Sequence, residues 1–309
     1  MIKKALLYKT FSDKTVECCL CAHRCVIGSG GSGKCGVRIN TSGTLYTTTY
    51  SEVIQASVER LTINLSSSSL PLTRTYCIAS IGCNFVCGFC KNWQVAHLQK
   101  HGTAPRMGYE IAPHDVVRNA VGLDCQSISF GYTEPTVFFE YAYDVARIAK
   151  KTGLSVIFNT NGYLTAEAID IIGPFLDTVR IDVKSSRSEF YQSVCGAELQ
   201  PVVDTIKRCK QHHLFTEVST PLIPGVNDSV EEIEKIAACI ADIDRDIPWY
   251  ITPFVPEHKY SEYNKTSVET LTRANSIARS FGLNTVSSWA MPSSAAAEDR
   301  FEEHSGAFI

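Results

Sequence analysis

From residue 72 onward the apolar positions fall into two alternating patterns. Short apolar runs at 76–81, 126–130, 154–158, 178–183, 215–220, 249–254 and 285–289 read as buried strands. Between them, apolar residues recur at helical spacing over 113–123, 136–151, 165–176, 188–194, 201–212 and 268–281. In 136–151 the face is Phe139, Ala142, Tyr143, Ala146 and Ala149. Another helix opens at Ser229, with Glu232 in capping-box spacing and Val230, Ile233, Ile236, Ala237 and Ile240 on one face. Strand and helix repeated in this order predict an α/β protein with parallel strands, a full or partial TIM-like (β/α) barrel whose function sits at the strand C-terminal ends.

The first part of the chain reads differently. Residues 43–64 alternate in short runs around Leu45, Val53, Ile54 and Ile63, as strands closing a small module do. A serine run over 64–71, ending in Pro71, reads as a connector. The expected division is a Cys-rich module at 1–70, a barrel at 71–290 and an extension at 291–309 that lacks a core pattern.

Composition narrows the class. Of 309 residues, 44% are hydrophobic and 20% charged, enough for a soluble protein with a sizeable core. A net charge of −3 gives no electrostatic case for nucleic acid or an anionic membrane as partner. No apolar run approaches a membrane span and the first residues lack a signal-peptide core, so the expected location is the cytoplasm. The 13 cysteines are odd in number and clustered, which points to metal binding rather than a disulfide framework.

The densest cluster is Cys83, Cys87 and Cys90, just after the first barrel strand. Three thiolates on one tight loop suit an iron–sulfur cluster. They leave one iron of a cubane open to a small molecule offering an amine and a carboxylate. A structural zinc loop is the other reading, but zinc favours two separated Cys pairs. A second group, Cys18, Cys21, Cys25 and Cys35 around a glycine-rich turn at 28–33, has ligands for zinc or an auxiliary iron–sulfur cluster. His23 is a substitute ligand or a packing residue, and Cys19 is the spare thiol. Cys77, Cys125, Cys209 and Cys239 read as small buried apolar residues. Cys195, beside Gly196, is a candidate to donate hydrogen or hold substrate.

Polar groups come directly after successive strands: Gly131, Tyr132, Thr133 and Glu134; Asn159, Thr160 and Asn161; Asp182 and Lys184; then Thr220 and Asn227. Alone, each is a turn or a helix cap. Together they line the rim that carries the cysteine loop.

The loop spacing, with Phe89 before the last Cys, resembles the signature of the radical S-adenosylmethionine (SAM) superfamily. With the N-terminal cysteines and the strand-end groups, the chain looks like the AmmeMemoRadiSam-system radical SAM family, which is similar to the activating enzymes of glycyl radical enzymes. The resemblance implies a barrel of the radical SAM type. It implies a [4Fe–4S] cluster on Cys83, Cys87 and Cys90, and SAM beside Phe89, Tyr132, Thr133, Glu134, Asn159, Asn161, Asp182, Lys184 and Thr220. Glu134 or a backbone carbonyl at 132–133 would accept from the SAM ammonium, and Lys184 would pair with its carboxylate. Asn159, Asn161 and Asp182 would bind ribose or a cation. Lys184, Asp182 and Cys195 are the expected catalytic set.

The implied chemistry is reductive cleavage of SAM to a 5′-deoxyadenosyl radical that takes hydrogen from a substrate in the barrel mouth. That requires a low-potential donor of flavodoxin or ferredoxin type and a small-molecule or protein substrate. The alternatives are activation of a partner glycyl radical enzyme, transfer of the aminocarboxypropyl group of SAM, or a non-catalytic electron-transfer or metal-binding module.

Overall fold

The computed structural model describes residues 1–61, 73–97 and 108–288. The expected connector at 64–71, Ile63, Trp289 and the extension at 291–309 lie outside them.

The N-terminal strands are short: β1 (Lys3–Lys4), β2 (Tyr8–Thr10), β3 (Val16–Cys18), β4 (Val26–Ile27), β5 (Arg38–Thr41), β6 (Thr44–Thr47) and β7 (Glu52–Val53). They form two small antiparallel sheets, β1-β6-β5 and β2-β3-β4. Then come β8 (Gln55–Leu61), β9 (Thr73–Ala79), α1 (Trp93–Ala96) and β10 (Tyr109–Glu110), the last pairing with β7. The remaining order is α2 (Pro113–Gly122), β11 (Ser127–Phe130), α3 (Phe139–Lys151), β12 (Ser155–Thr160), α4 (Ala166–Ile172), β13 (Thr178–Asp182), α5 (Ser188–Phe190), α6 (Leu199–Gln211), β14 (Phe215–Leu222), α7 (Val230–Ile243), β15 (Trp249–Pro253), α8 (Val268–Ser280) and β16 (Val286–Ser288).

One sheet organises the molecule, with strand order β16-β15-β14-β13-β12-β11-β9-β8. The seven strands expected from the apolar runs are all in it, each parallel to its neighbours among them. Successive parallel strands with helical crossovers put every strand C-terminus on one rim. Among the described residues the order ends at β16 and β8 without closing, so the barrel is partial. Strand β8 is the addition: it runs antiparallel along β9, from Gln55 opposite Ala79 to Leu61 opposite Thr73.

Burial explains why these segments fold as they do. In β12, Val156, Ile157 and Phe158 are all covered, as expected of a strand with both faces packed. Helix α3 buries Phe139, Ala142, Val145, Ala146 and Ala149 and ends in Lys150 and Lys151, which suit the negative end of the helix dipole. Three helical readings need adjustment at their ends. The 136–151 helix begins as a 3-10 turn, Pro135–Phe138. The 165–176 helix finishes as another, Gly173–Phe175. The 188–194 stretch is a single α turn continued by a π turn, Tyr191–Cys195. In α7, Ser229 does accept from the Glu232 N–H at 3.2 Å. Glu232 does not reach back to close a box. Its buried carboxylate instead accepts from Ser185 Oγ, Ser186 N and Ser186 Oγ, fixing the loop after β13.

Candidate active site

The loop 83–90 leaves β9 through Gly82 and lies on the C-terminal rim. It is held from four sides. Val86 N donates to Cys195 O at 2.9 Å, and Lys259 N donates to Gly88 O at 3.0 Å. His23 Nε2 meets Asn84 O at 2.8 Å; a carbonyl only accepts, so this nitrogen carries the proton. Asn161 Nδ2 donates to Asn84 Oδ1 at 2.7 Å. Phe85 anchors the loop in the core, with its ring edge-on to Tyr163 at 5.2 Å and Tyr191 at 6.3 Å. Gly196 closes the π turn at φ +67°, and a Cβ there would stand 2.7 Å from Val86 Cγ2. Only glycine makes that approach without strain.

Cys83 and Cys90 are half-buried and Cys87 is buried. Phe85 N donates to Cys83 Sγ at 3.3 Å, and Asn161 Nδ2 lies 3.8 Å from the same sulfur. N–H donors on sulfur are what a cluster thiolate needs. A hydrogen bond with Cys195 and burial push Cys87 well up, while the Lys184 charge pulls it down. Lys184 loses to burial but gains more from Asp182 and the thiols, so its ammonium is held above the usual lysine range. Its Nζ donates to Asp182 Oδ2 at 2.6 Å and stands 6.0 Å from the Phe89 ring centre. Asp182 also accepts from Ser219 Oγ. Asn227 bridges this region, with Nδ2 donating to Lys184 O at 2.8 Å and Pro221 O at 2.9 Å.

The other strand-end residues divide by their surroundings. Glu134 is buried and its carboxylate accepts from Thr136 N at 2.9 Å, Thr136 Oγ1, Thr160 Oγ1 at 2.7 Å and Asn161 N at 2.8 Å. Three of these donors fall on Oε1 and only the Asn161 amide on Oε2, so Oε2 keeps a site for one more donor. Burial still pushes its pKa up despite the bonds. Thr133 Oγ1 donates to Ser80 O, and buried Thr220 Oγ1 accepts from Trp249 Nε1 at 2.9 Å. Tyr132 sits at φ +59°, its hydroxyl donating to Glu59 and its carbonyl accepting from Asn92 Nδ2. Asn159 differs: its buried Oδ1 has no hydrogen-bond partner among the described residues. Cys195 is fully buried in contact with Cys87. Phe89 is nearly buried, between Phe190 and Tyr260.

The N-terminal thiols also come together. Cys18, Cys21, Cys25 and Cys35 line one cavity of about 20 Å³. Burial pushes Cys18 up to about 11 and raises Cys21 and Cys35 as well. Cys19 turns away, with its sulfur toward Glu17. Among the described residues, no three His, Cys, Asp or Glu side chains stand as a finished metal cage in either cysteine group.

A [4Fe–4S] cluster and SAM fit the rim by its donor set. Three thiols lie on one loop with N–H groups on a sulfur, a fixed ammonium lies beside them, and an orphan acceptor, Asn159 Oδ1, lies on the same rim. Nothing local in the chain marks His23 as a clamp or Asn84 as the loop's anchor, because both contacts span more than 60 positions.

The model of the radical SAM superfamily matches residues 77–239, from the loop strand through most of α7. The chain belongs to that superfamily, and it is a radical SAM enzyme. It is 32% identical over 286 residues to the uncharacterized protein MJ0808 of Methanocaldococcus jannaschii, covering 92% of this chain and 84% of that one. The pyruvate formate-lyase-activating enzyme of Clostridium pasteurianum is 21% identical over 171 residues, 52% of this chain and 67% of that one. A radical SAM methyltransferase from Sphaerobacter thermophilus superposes with a TM-score of 0.56 at 16% identity, over 93% of this chain and 76% of that one, a likeness of fold. Among the described residues no helix is long and apolar enough to cross a membrane.

Proposed function

We propose that the enzyme belongs to the AmmeMemoRadiSam-system branch and abstracts hydrogen from a substrate in the barrel mouth. The observation that carries this reading is the three-cysteine loop on the same rim as Lys184 and Asn159. Cys83, Cys87 and Cys90 hold a [4Fe–4S] cluster, leaving one iron for the amine and carboxylate of SAM. When bound and reduced, the cluster would supply the one electron for reductive cleavage of the SAM sulfonium. The electron comes from a low-potential donor in the cytoplasm.

The chain's own groups set the geometry. Lys184, oriented by Asp182, meets the SAM carboxylate. Backbone carbonyls at 132–133, or Oε2 of Glu134, accept from the SAM amine. Glu134 fixes Thr160 and Asn161, and Asn161 positions the loop through Asn84. Asn159 Oδ1 accepts from the ribose or an adjacent cation. Phe89 walls the site, and Cys195 backs Cys87 rather than meeting substrate. The N-terminal thiols hold a second metal, zinc or iron–sulfur.

Anaerobically reconstituted protein with dithionite and SAM should yield 5′-deoxyadenosine and methionine. A Cys83→Ala, Cys87→Ala, Cys90→Ala variant should yield neither, and normal yields from it would overturn the proposal. Formation of 5′-methylthioadenosine instead would mark aminocarboxypropyl transfer. The relation to the pyruvate formate-lyase-activating enzyme supports a second reading, activation of a partner protein. A glycyl radical signal in such a partner would select it.

A further inference from the structure

The N-terminal thiols gather at one cavity apart from the catalytic loop. The stretch 18–25 and the turn after β4 bring Cys18, Cys21, Cys25 and Cys35 to this cavity, and none is disulfide-bonded. Backbone amides surround the sulfurs, one of them in a direct hydrogen bond. Lys34 N donates to Cys25 Sγ at 3.5 Å. The amides of Leu20, of His23, and of Val37 and Arg38 lie toward Cys18, Cys21 and Cys35 and favour their thiolate forms. Three of these donors lie two residues after their cysteine, the turn that wraps amides around a metal-bound thiolate. Such amides stabilise sulfur as an anion.

A second observation is independent of the thiols. Arg38 is 1% exposed and lines the same cavity. Its Nη2 donates to Glu140 Oε2 at 2.7 Å. Its Nε and Nη1 find no partner among the described residues. Leaving guanidinium donors buried and unpaired is costly. Thiolates on a metal would accept from them, and Cys18 and Cys35 are within reach of that charge.

Size chooses the metal. A cavity of about 20 Å³ takes one atom the size of a water. Zinc bonded to four sulfurs at about 2.3 Å closes on such a point. A four-iron cube carries eight core atoms and would have to part the walls.

We propose that Cys18, Cys21, Cys25 and Cys35 bind one zinc ion as a tetrathiolate site separate from the catalytic cluster. This rests on the reading that the N-terminal thiols bind a metal. The site also braces the catalytic loop. Between Cys21 and Cys25 lies His23, whose ring holds Asn84 O, and Ala22 N donates to Tyr163 O at 2.9 Å. Cys19 takes no part in it.

Metal counts on purified wild type and on the Cys83→Ala, Cys87→Ala, Cys90→Ala variant test this. Both should carry one zinc per chain, while iron is lost only from the variant. Wild type grown with cobalt in place of zinc should show thiolate-to-cobalt charge transfer and the strong visible bands of tetrahedral Co(II). Cys19→Ala should keep the zinc, and Cys25→Ala should lose it. Because Cys25→Ala also risks misfolding, the wild-type cobalt spectrum is the decisive readout. Iron in place of zinc at this site would overturn the zinc assignment and leave the metal reading standing. No second metal of either kind would overturn both.

Discussion

The contact between Gly196 and Val86 lets the link between fold and catalytic loop be measured. In Gly196→Ala, an L side chain must hold φ +67°, which costs about 1–2 kcal/mol. The new Cβ also lies 2.7 Å from Val86 Cγ2, and forced repacking costs roughly 1–3 kcal/mol. Val86 is 43% exposed and has room to swing outward, which favours the lower part of a total of about 2–5 kcal/mol. The strain falls on the turn whose carbonyl at Cys195 receives Val86 N, so it is transmitted to the segment between Cys83 and Cys87. Thermal unfolding of the reconstituted enzyme at fixed scan rate should show a midpoint lower by several degrees. Iron should also leave faster under a chelator. Adding Val86→Ala should recover the steric part and leave the backbone part, as a double-mutant cycle reports. If Gly196→Ala matched wild type in both midpoint and iron retention, the π turn would not be what holds the loop.

Other contacts of the site can be perturbed in the same way. Asn161→Leu leaves the buried Asn84 Oδ1 without its donor, a cost of about 1–3 kcal/mol, and should speed iron loss while the secondary structure is unchanged by circular dichroism. Lys184→Met should weaken SAM binding by about tenfold or more in calorimetry, since one charge-assisted bond is worth roughly 1.5–3 kcal/mol; Lys184→Arg should retain part of it. Cys209 is buried and its thiol is pushed from 9.0 up to about 12. Its contribution is full below pH 9 and is lost between pH 9 and about 12, as the unfolded chain ionises and the folded chain does not. Urea midpoints over that window should fall more steeply for wild type than for Cys209→Ala, by up to about 1.4 kcal/mol per pH unit.

The barrel is legible in the chain because its strands are continuous apolar runs and its helices keep one apolar face, two periods that do not imitate each other. The rim is legible because parallel strands force the residues after each strand onto one side. Strand β8 is harder to see because Gln55, Ser57 and Glu59 are polar at half-buried positions, where a buried strand face would be apolar. Glu232 misleads through local spacing: the box geometry is present, but the carboxylate satisfies the buried Ser185 and Ser186 donors instead. The Glu134 carboxylate is plain in the sequence, but the donors around it from Thr136, Thr160 and Asn161 are not. His23 and Asn84 meet only when the N-terminal module docks, and no periodicity records that.

The account depends on a cluster iron that no protein atom ligates. Electron–nuclear double resonance on the reduced enzyme, with SAM carrying ¹⁵N in its amine and ¹⁷O in its carboxylate, reads that iron directly. Coupling of both labels to the cluster is the expected result. A cluster signal that SAM leaves unchanged, with neither label coupled, would contradict the assignment of Cys83, Cys87 and Cys90 as its three protein ligands.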